Sequence, residues 1–154
     1  MISINDLFAN ANKEFVKVEE GTFKSKIVEI KESTSKKGKP MVQITFEVVE
    51  GDKKSGRFNH FMSLGTDKGK EISARILCQI ALNIYSIAQS KLEEDAETVD
   101  DLITNVVAEV GKKIKKSDAT MNVTRTANGD FYNNKIDTNA TKTADDFFAE
   151  VQNA

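Results

Sequence analysis

Lysines and aromatic rings interleave in this chain, and that pairing has a chemistry. Lys24, Lys26, Lys36, Lys37, Lys39, Lys53, Lys54 and Arg57 fall on or between strand-like runs. Phe23 and Phe61 sit among them, and Arg125, Phe131, Tyr132 and Lys135 recur towards the other end. Cations neutralise phosphates and release the counterions condensed around them. Flat rings stack on bases, at about 1–3 kcal/mol per ring. Taken singly, each lysine is an ordinary solvated charge and each phenylalanine an ordinary core residue. The combination suits a flexible polyanion whose bases are unpaired.

Catalysis finds little support. The sequence has no glycine-rich phosphate loop of either standard spacing, no paired-histidine zinc motif and no Gly-x-Ser-x-Gly elbow. His60 is the only histidine and Cys78 the only cysteine. One histidine cannot build a histidine-based metal cage, and one cysteine cannot form an internal disulfide. Cys78 lies between isoleucines on a helical pattern, where a thiol is buried and inert. Glu93, Glu94, Asp95, Glu97, Asp100 and Asp101 cluster in a polar stretch between helices, without convergent partners. No catalytic residue, metal or cofactor is expected.

The net charge of −2 argues against indiscriminate polyanion binding, but the distribution changes the picture. Nine basic and five acidic residues lie between Lys24 and Arg57, a local excess of +4. Acids dominate at 93–101 and again at Asp145, Asp146 and Glu150. A ligand responds to the local field, not to the total. A chain of 154 residues that is 39% hydrophobic and 30% charged is long enough for one folded domain with a short appendage. No apolar run reaches bilayer length and no signal segment opens the chain, so residence in the cytoplasm is expected, with no membrane partner.

The elements that must position these residues follow from periodicity. Strand-like runs cover 21–32, 40–50 and 57–64. In the first, two adjacent apolar residues, Ile27 and Val28, break the alternation and suggest a bulge. The second reads with period two: Val42, Ile44, Phe46 and Val48 against Met41, Gln43, Thr45 and Glu47. The third puts Phe58, His60, Met62 and Leu64 on one face and Arg57, Asn59, Phe61 and Ser63 on the other. Both faces carry a phenylalanine, so either can be the core.

Ile72, Ile76, Ile80, Ile84 and Ile87 then recur at helical spacing, predicting one helix over 71–92 that plugs or covers the sheet. A second helix starts at Thr98, where Asp101 three residues on gives a capping-box spacing, and ends at Gly111. Lys112-Lys-Ile-Lys-Lys116 is a basic knot leading into two last strands, 120–126 and 131–137, joined by an Asn-Gly turn. A short amphipathic helix is expected over 3–12. After residue 137 the composition turns small and polar, then acidic with two phenylalanines.

Strand, strand, strand, helix, strand, strand is the chain order of the OB-fold, a five-stranded Greek-key barrel. The expected fold is therefore mainly β, with that barrel over 1–137, a helical insertion at about 69–111 between strands three and four, and a flexible acidic tail over 138–154.

The run Glu20-Gly-Thr-Phe, Lys26-Ile-Val-Glu-Ile, Ser35-Lys-Lys-Gly-Lys-Pro-Met-Val-Gln-Ile-Thr-Phe-Glu-Val-Val-Glu-Gly51 and Gly56-Arg57 resembles small proteins of bacteriophages of Gram-positive hosts. These are phage single-stranded DNA-binding proteins and a related family of formerly unassigned function. The resemblance spans 15–137. It implies an OB-fold that coats single-stranded DNA during phage replication and recombination in the bacterial cytoplasm, largely without sequence preference. It also implies assembly into dimers or tetramers. By the resemblance, Lys24, Lys26, Lys36, Lys37, Lys39 and Arg57 are the basic binding positions. Phe61 and either Phe131 or Tyr132 are the stacking ones.

Asp145, Asp146, Phe147, Phe148 and Glu150 resemble the acidic, aromatic tip through which such proteins recruit replication or recombination proteins. Three residues follow Val151, and the Pro-Phe ending of bacterial single-stranded DNA-binding proteins is absent. A short amphipathic helix packed on the domain is the alternative for this segment. For the whole chain the alternative is a phage adaptor or inhibitor module that uses the same surface to bind protein.

Overall fold

The computed structural model describes residues 17–139. The helix expected over 3–12 and the tail residues Asp145, Asp146, Phe147, Phe148 and Glu150 lie outside them. The elements are β1 (Gly21–Thr34), β2 (Pro40–Val48), β3 (Arg57–Ser63), α1 (Asp67–Gln79), α2 (Gln89–Leu92), α3 (Val99–Lys113), β4 (Met121–Asn128) and β5 (Phe131–Ile136). The five strands form one antiparallel sheet in the order β3-β2-β1-β4-β5.

Alternation decides the faces. Val42, Ile44, Phe46 and Val48 on β2 are essentially inaccessible, and Phe58 and Met62 on β3 are buried beside them. Burying each such side chain contributes about 1.5–3 kcal/mol. The register on β1 shifts between Ile27 and Glu29, so Val28 is the extra residue of a bulge. Ile27 and Ile30, three apart, both reach the core because of it. Ser25, Met121 and Val123 continue the inner face across β1 and β4. Phe23 shares it too: its ring is packed against the core and covers Gly21, whose φ of +139° only glycine adopts readily.

The two-residue turn of the last hairpin is Gly129-Asp130, one residue later than the Asn-Gly pair suggested. Asn128 still pairs with Phe131, and only Gly129 (φ +64°) carries positive φ, the pattern of a type II′ turn.

The single helix expected over 71–92 is broken. α1 passes into a π-helical turn at Ile80–Ile84, and Ser86 at φ 54° ends it before α2. The isoleucine repeat misleads at its first member and about the helix's length: Ile80 and Ile87 are buried, and Ile76 and Ile84 pack against the core. Ser73, Ala74, Leu77, Ile80 and Ala81 face the core, while Ile72 is exposed. The break buries both Tyr85 and Ile87, which a straight helix cannot do from one face. α3 opens as expected. The Asp101 amide donates to Thr98 Oγ1 at 3.1 Å, and the Thr98 amide donates to Asp101 Oδ2 at 3.3 Å. The Glu97 amide first, and Thr98 second, hold the Asp101 carboxyl below the usual carboxylate range. The helix runs through Gly111 to Lys113.

The barrel is not closed. β3 and β5 each have one paired neighbour among the described residues. Side chains cross the seam between them instead of a main-chain ladder: Asn134 Nδ2 on β5 donates to the Asn59 carbonyl on β3 at 3.3 Å. The inward positions there are polar (His60, Arg125, Asn134), and these groups need partners that a dry closed core would not supply. No described helix is long and apolar enough to cross a membrane.

Candidate functional site

The seam between β3 and β5 opens into a cleft of about 490 Å³. Phe61 on β3 lines it and is 54% exposed; Phe131 on β5 lines it and is 76% exposed. Tyr132 and Arg125 line it as well. Four residues singled out in the sequence, up to 71 positions apart, thus meet at one place. Phe131 and Tyr132 reach it from opposite faces of β5, as period two requires.

Arg125 has a second role. Its guanidinium lies 4.5 Å from the Phe58 ring centroid and 4.4 Å from that of Tyr132. Phe58 in turn stacks on Phe46 at 5.3 Å. Phe46, Phe58, Arg125 and Tyr132 contribute one layer each from β2, β3, β4 and β5. Arg125 Nε donates to Asn134 Oδ1 at 2.9 Å, and Nη1 donates to the Val18 carbonyl at 2.6 Å. Burial lowers its pKa, opposed by the neighbouring Tyr132. This arginine braces the seam more than it offers itself to a phosphate.

The polar lining holds one carboxylate, Asp130, alongside Arg125; its other polar side chains are amides, an imidazole and the Tyr132 phenol. Burial pushes His60 down to about 4, so the imidazole is uncharged at pH 7. Asn134 Nδ2 lies 3.5 Å from its Nδ1. Asn59, His60 and Asn134 offer donors and acceptors without charge, the kind of group that meets a base edge. Sequence reasoning passed over Asn59 and Asn134. For Asn134 the available signal was an amide at an inward position of an alternating strand; Asn59 lies on the outward face, and its main-chain carbonyl is what meets the seam.

The cations stand outside the cleft, on the exposed face of β1, β2 and β3. Cross-strand rows there read Lys26–Glu47–Arg57, Glu29–Thr45–Asn59 and Lys31–Gln43–Phe61. Glu47 lies between two of the expected phosphate binders, with Oε2 3.5 Å from Lys26 Nζ and Oε1 3.2 Å from Arg57 Nε. Exposed pairs of this kind are worth about 0–1 kcal/mol, so a phosphate can displace the carboxylate cheaply.

Lys36, Lys37 and Lys39 are exposed on the 35–39 loop, which is fixed by the Ser35 amide donating to the Lys39 carbonyl at 2.8 Å. The Lys39 stem lies against Gly65 at the end of β3. Lys53, half-buried, and Lys54 lie in the 49–56 turn, and Lys24 is exposed on β1 beside it, its carbonyl accepting from the Val49 amide at 2.9 Å. Lys135 is exposed opposite Thr124 on β4. These cations surround the sheet and do not converge on a point. A track for an extended polyanion needs that arrangement; a pocket for a small anion does not use it.

No group of three or more metal-ligating side chains occurs among the described residues. Cys78 is half-buried and burial raises its thiol pKa.

The family model for "Protein of unknown function (DUF669)" matches residues 6–151, nearly the whole chain, and the protein belongs to that family. Comparison with curated proteins gives no match.

Proposed function

We propose that this protein binds single-stranded DNA without strong sequence preference, coating it during phage replication and recombination in the bacterial cytoplasm. The strand order and the near approach of β3 and β5 support an OB-fold whose last seam is bridged by side chains. The observation that carries the reading is the cleft: Phe61, Phe131 and Tyr132 converge beside neutral amides, with Lys26 and Arg57 on the adjoining face. Rings accept any base by stacking, and lysines accept any phosphate, so the chemistry is indifferent to sequence. No step of bond-breaking is assigned. Assembly as a dimer or tetramer belongs to the same proposal, as does contact with replication or recombination proteins through Asp145, Asp146, Phe147, Phe148 and Glu150.

Tyrosine fluorescence tests it. Tyr85 is 6% exposed and cannot meet a ligand, whereas Tyr132 lines the cleft. In a Tyr85→Phe background, oligothymidylate should quench the remaining emission, and duplex of equal length should not. No quenching and no gel shift at micromolar protein and low salt would sink the proposal and favour a protein-binding adaptor.

A further inference from the structure

The basic knot at the end of α3 lies beside a groove that the reading above leaves unused. β1 and the C-terminal part of α3 bound a channel of about 630 Å³, and a second of about 310 Å³ adjoins it, sharing Val28, Ile114 and Lys115. Together they follow β1 from Lys26 to Glu32, about 20 Å at the usual strand rise of ~3.3 Å per residue. Val28, Val107 and Ile114 supply apolar surface, and Lys112, Lys115 and Lys116 line one side.

Lysines at a helix end often only offset its dipole, which explains Lys112 and Lys113 in the last turn of α3. Lys115 and Lys116 lie beyond the helix and form no ion pair among the described residues. Acids are present as well. Glu29, Glu32 and Asp118 line the channels, Glu29 pairs with Lys31 at 3.3 Å, and Glu109 pairs with Lys112 at 3.3 Å. Glu32 is already engaged, accepting from Thr104 Oγ1 at 3.2 Å. Lys26 belongs to both surfaces: it lines the second channel and sits in the cross-strand row with Glu47 and Arg57.

We infer that the bound strand leaves the sheet face at Lys26 and continues into this groove, its phosphates held by Lys112, Lys115 and Lys116. The inference rests on the proposed function and extends it. The bulge at Val28 supports the path, because it places an apolar side chain on the floor where the two channels join.

The test is the triple variant Lys112→Gln/Lys115→Gln/Lys116→Gln in the full chain, with Lys115→Glu as a milder companion. Site sizes for such folds run from about 4 to 16 nucleotides, so oligothymidylates of about 6 and about 16 separate the cleft from the groove. The triple variant should bind the short oligomer as wild type does and the long one roughly tenfold more weakly. Its salt slope on the long oligomer should be shallower by about 2, at ~0.7 per phosphate contact for single strands. Lys115→Glu should show the same length-selective loss in smaller degree. If the wild-type chain binds the long oligomer and the triple variant matches it in affinity and slope, the groove is not part of the path, while the proposed function stands. If the wild-type chain binds neither oligomer, both readings fall.

Discussion

Arg125 lies over the ring of Tyr132, its guanidinium carbon 4.4 Å from the centroid, and so joins β4 to β5 at the inner face of the sheet. The same group meets Phe58 of β3 on the far side of the seam, at 4.5 Å. A planar cation between two rings does what a main-chain ladder does elsewhere in the sheet. Lysine cannot copy it, having no planar fork and no parallel donors.

Arg125→Lys and Arg125→Ala should therefore both destabilise the fold, by about 1–3 kcal/mol, since Asn134 and the Val18 carbonyl lose a charged donor. Urea unfolding measures this. Full stability in Arg125→Lys would show that charge alone suffices and that stacking is irrelevant.

Phe61→Ala and Phe131→Ala should leave stability within about 0.5 kcal/mol, because both rings are mostly in solvent. Each should weaken oligothymidylate binding by about 1–3 kcal/mol. The internal contrast is Phe46→Ala, which empties the core and should cost about 3–5 kcal/mol of stability. Unchanged affinity in both surface variants would remove stacking from the proposed chemistry.

Glu47→Gln should raise affinity for single-stranded DNA at low salt. The carboxylate holds Lys26 and Arg57, and its removal frees both cations for phosphates. Affinity should also fall more steeply with salt than in wild type. A weaker variant would mean that the glutamate positions these side chains productively.

His60 gives a pH dependence with a definite sign. The unfolded imidazole titrates near 6.5 and the folded one near 4. Between these values the unfolded chain takes up a proton that the folded chain refuses. The associated stability is full above pH 6.5, declines as the pH falls through the window, and is spent below about 4. His60→Gln should flatten the stability curve between these limits, and equal slopes in both proteins would refute this.

The sheet was readable because its signals are local and redundant. Val42, Ile44, Phe46 and Val48 alternate without interruption, and adjacent Ile27 and Val28 expose the bulge directly. The length of α1 was misread because the isoleucines keep helical spacing across the break, where Ile80 and Ile87 are both buried but on different segments. What ends the helix is Ser86 in a left-handed conformation, which no neighbouring residue type announces. The cleft was half legible. Phe61, Phe131, Tyr132 and Arg125 stood out by type, but their meeting depends on β3 and β5 curling towards each other. Glu47 was legible on one face of the second strand, but its place between Lys26 and Arg57 comes from register and not from sequence distance.

The bulge at Val28 also gives β1 one residue to spare. Glu29 pairs with Thr45 and Ile30 with Ile44 in step with Ile27 and Phe46, so losing Val28 would leave a regular ladder with every later side chain on its present face, whereas losing Gln43 from the unbroken β2 would turn the residues on one side of the gap inside out. The 49–56 turn carries no such constraint. A deletion scan should therefore find gaps tolerated around Lys53 and Lys54 and at Val28, and refused at 42–46; the opposite map would mean that strand pairing can slide. Variation in length among relatives is then expected to collect in the turns and at the bulge, and to avoid the middle of the second strand.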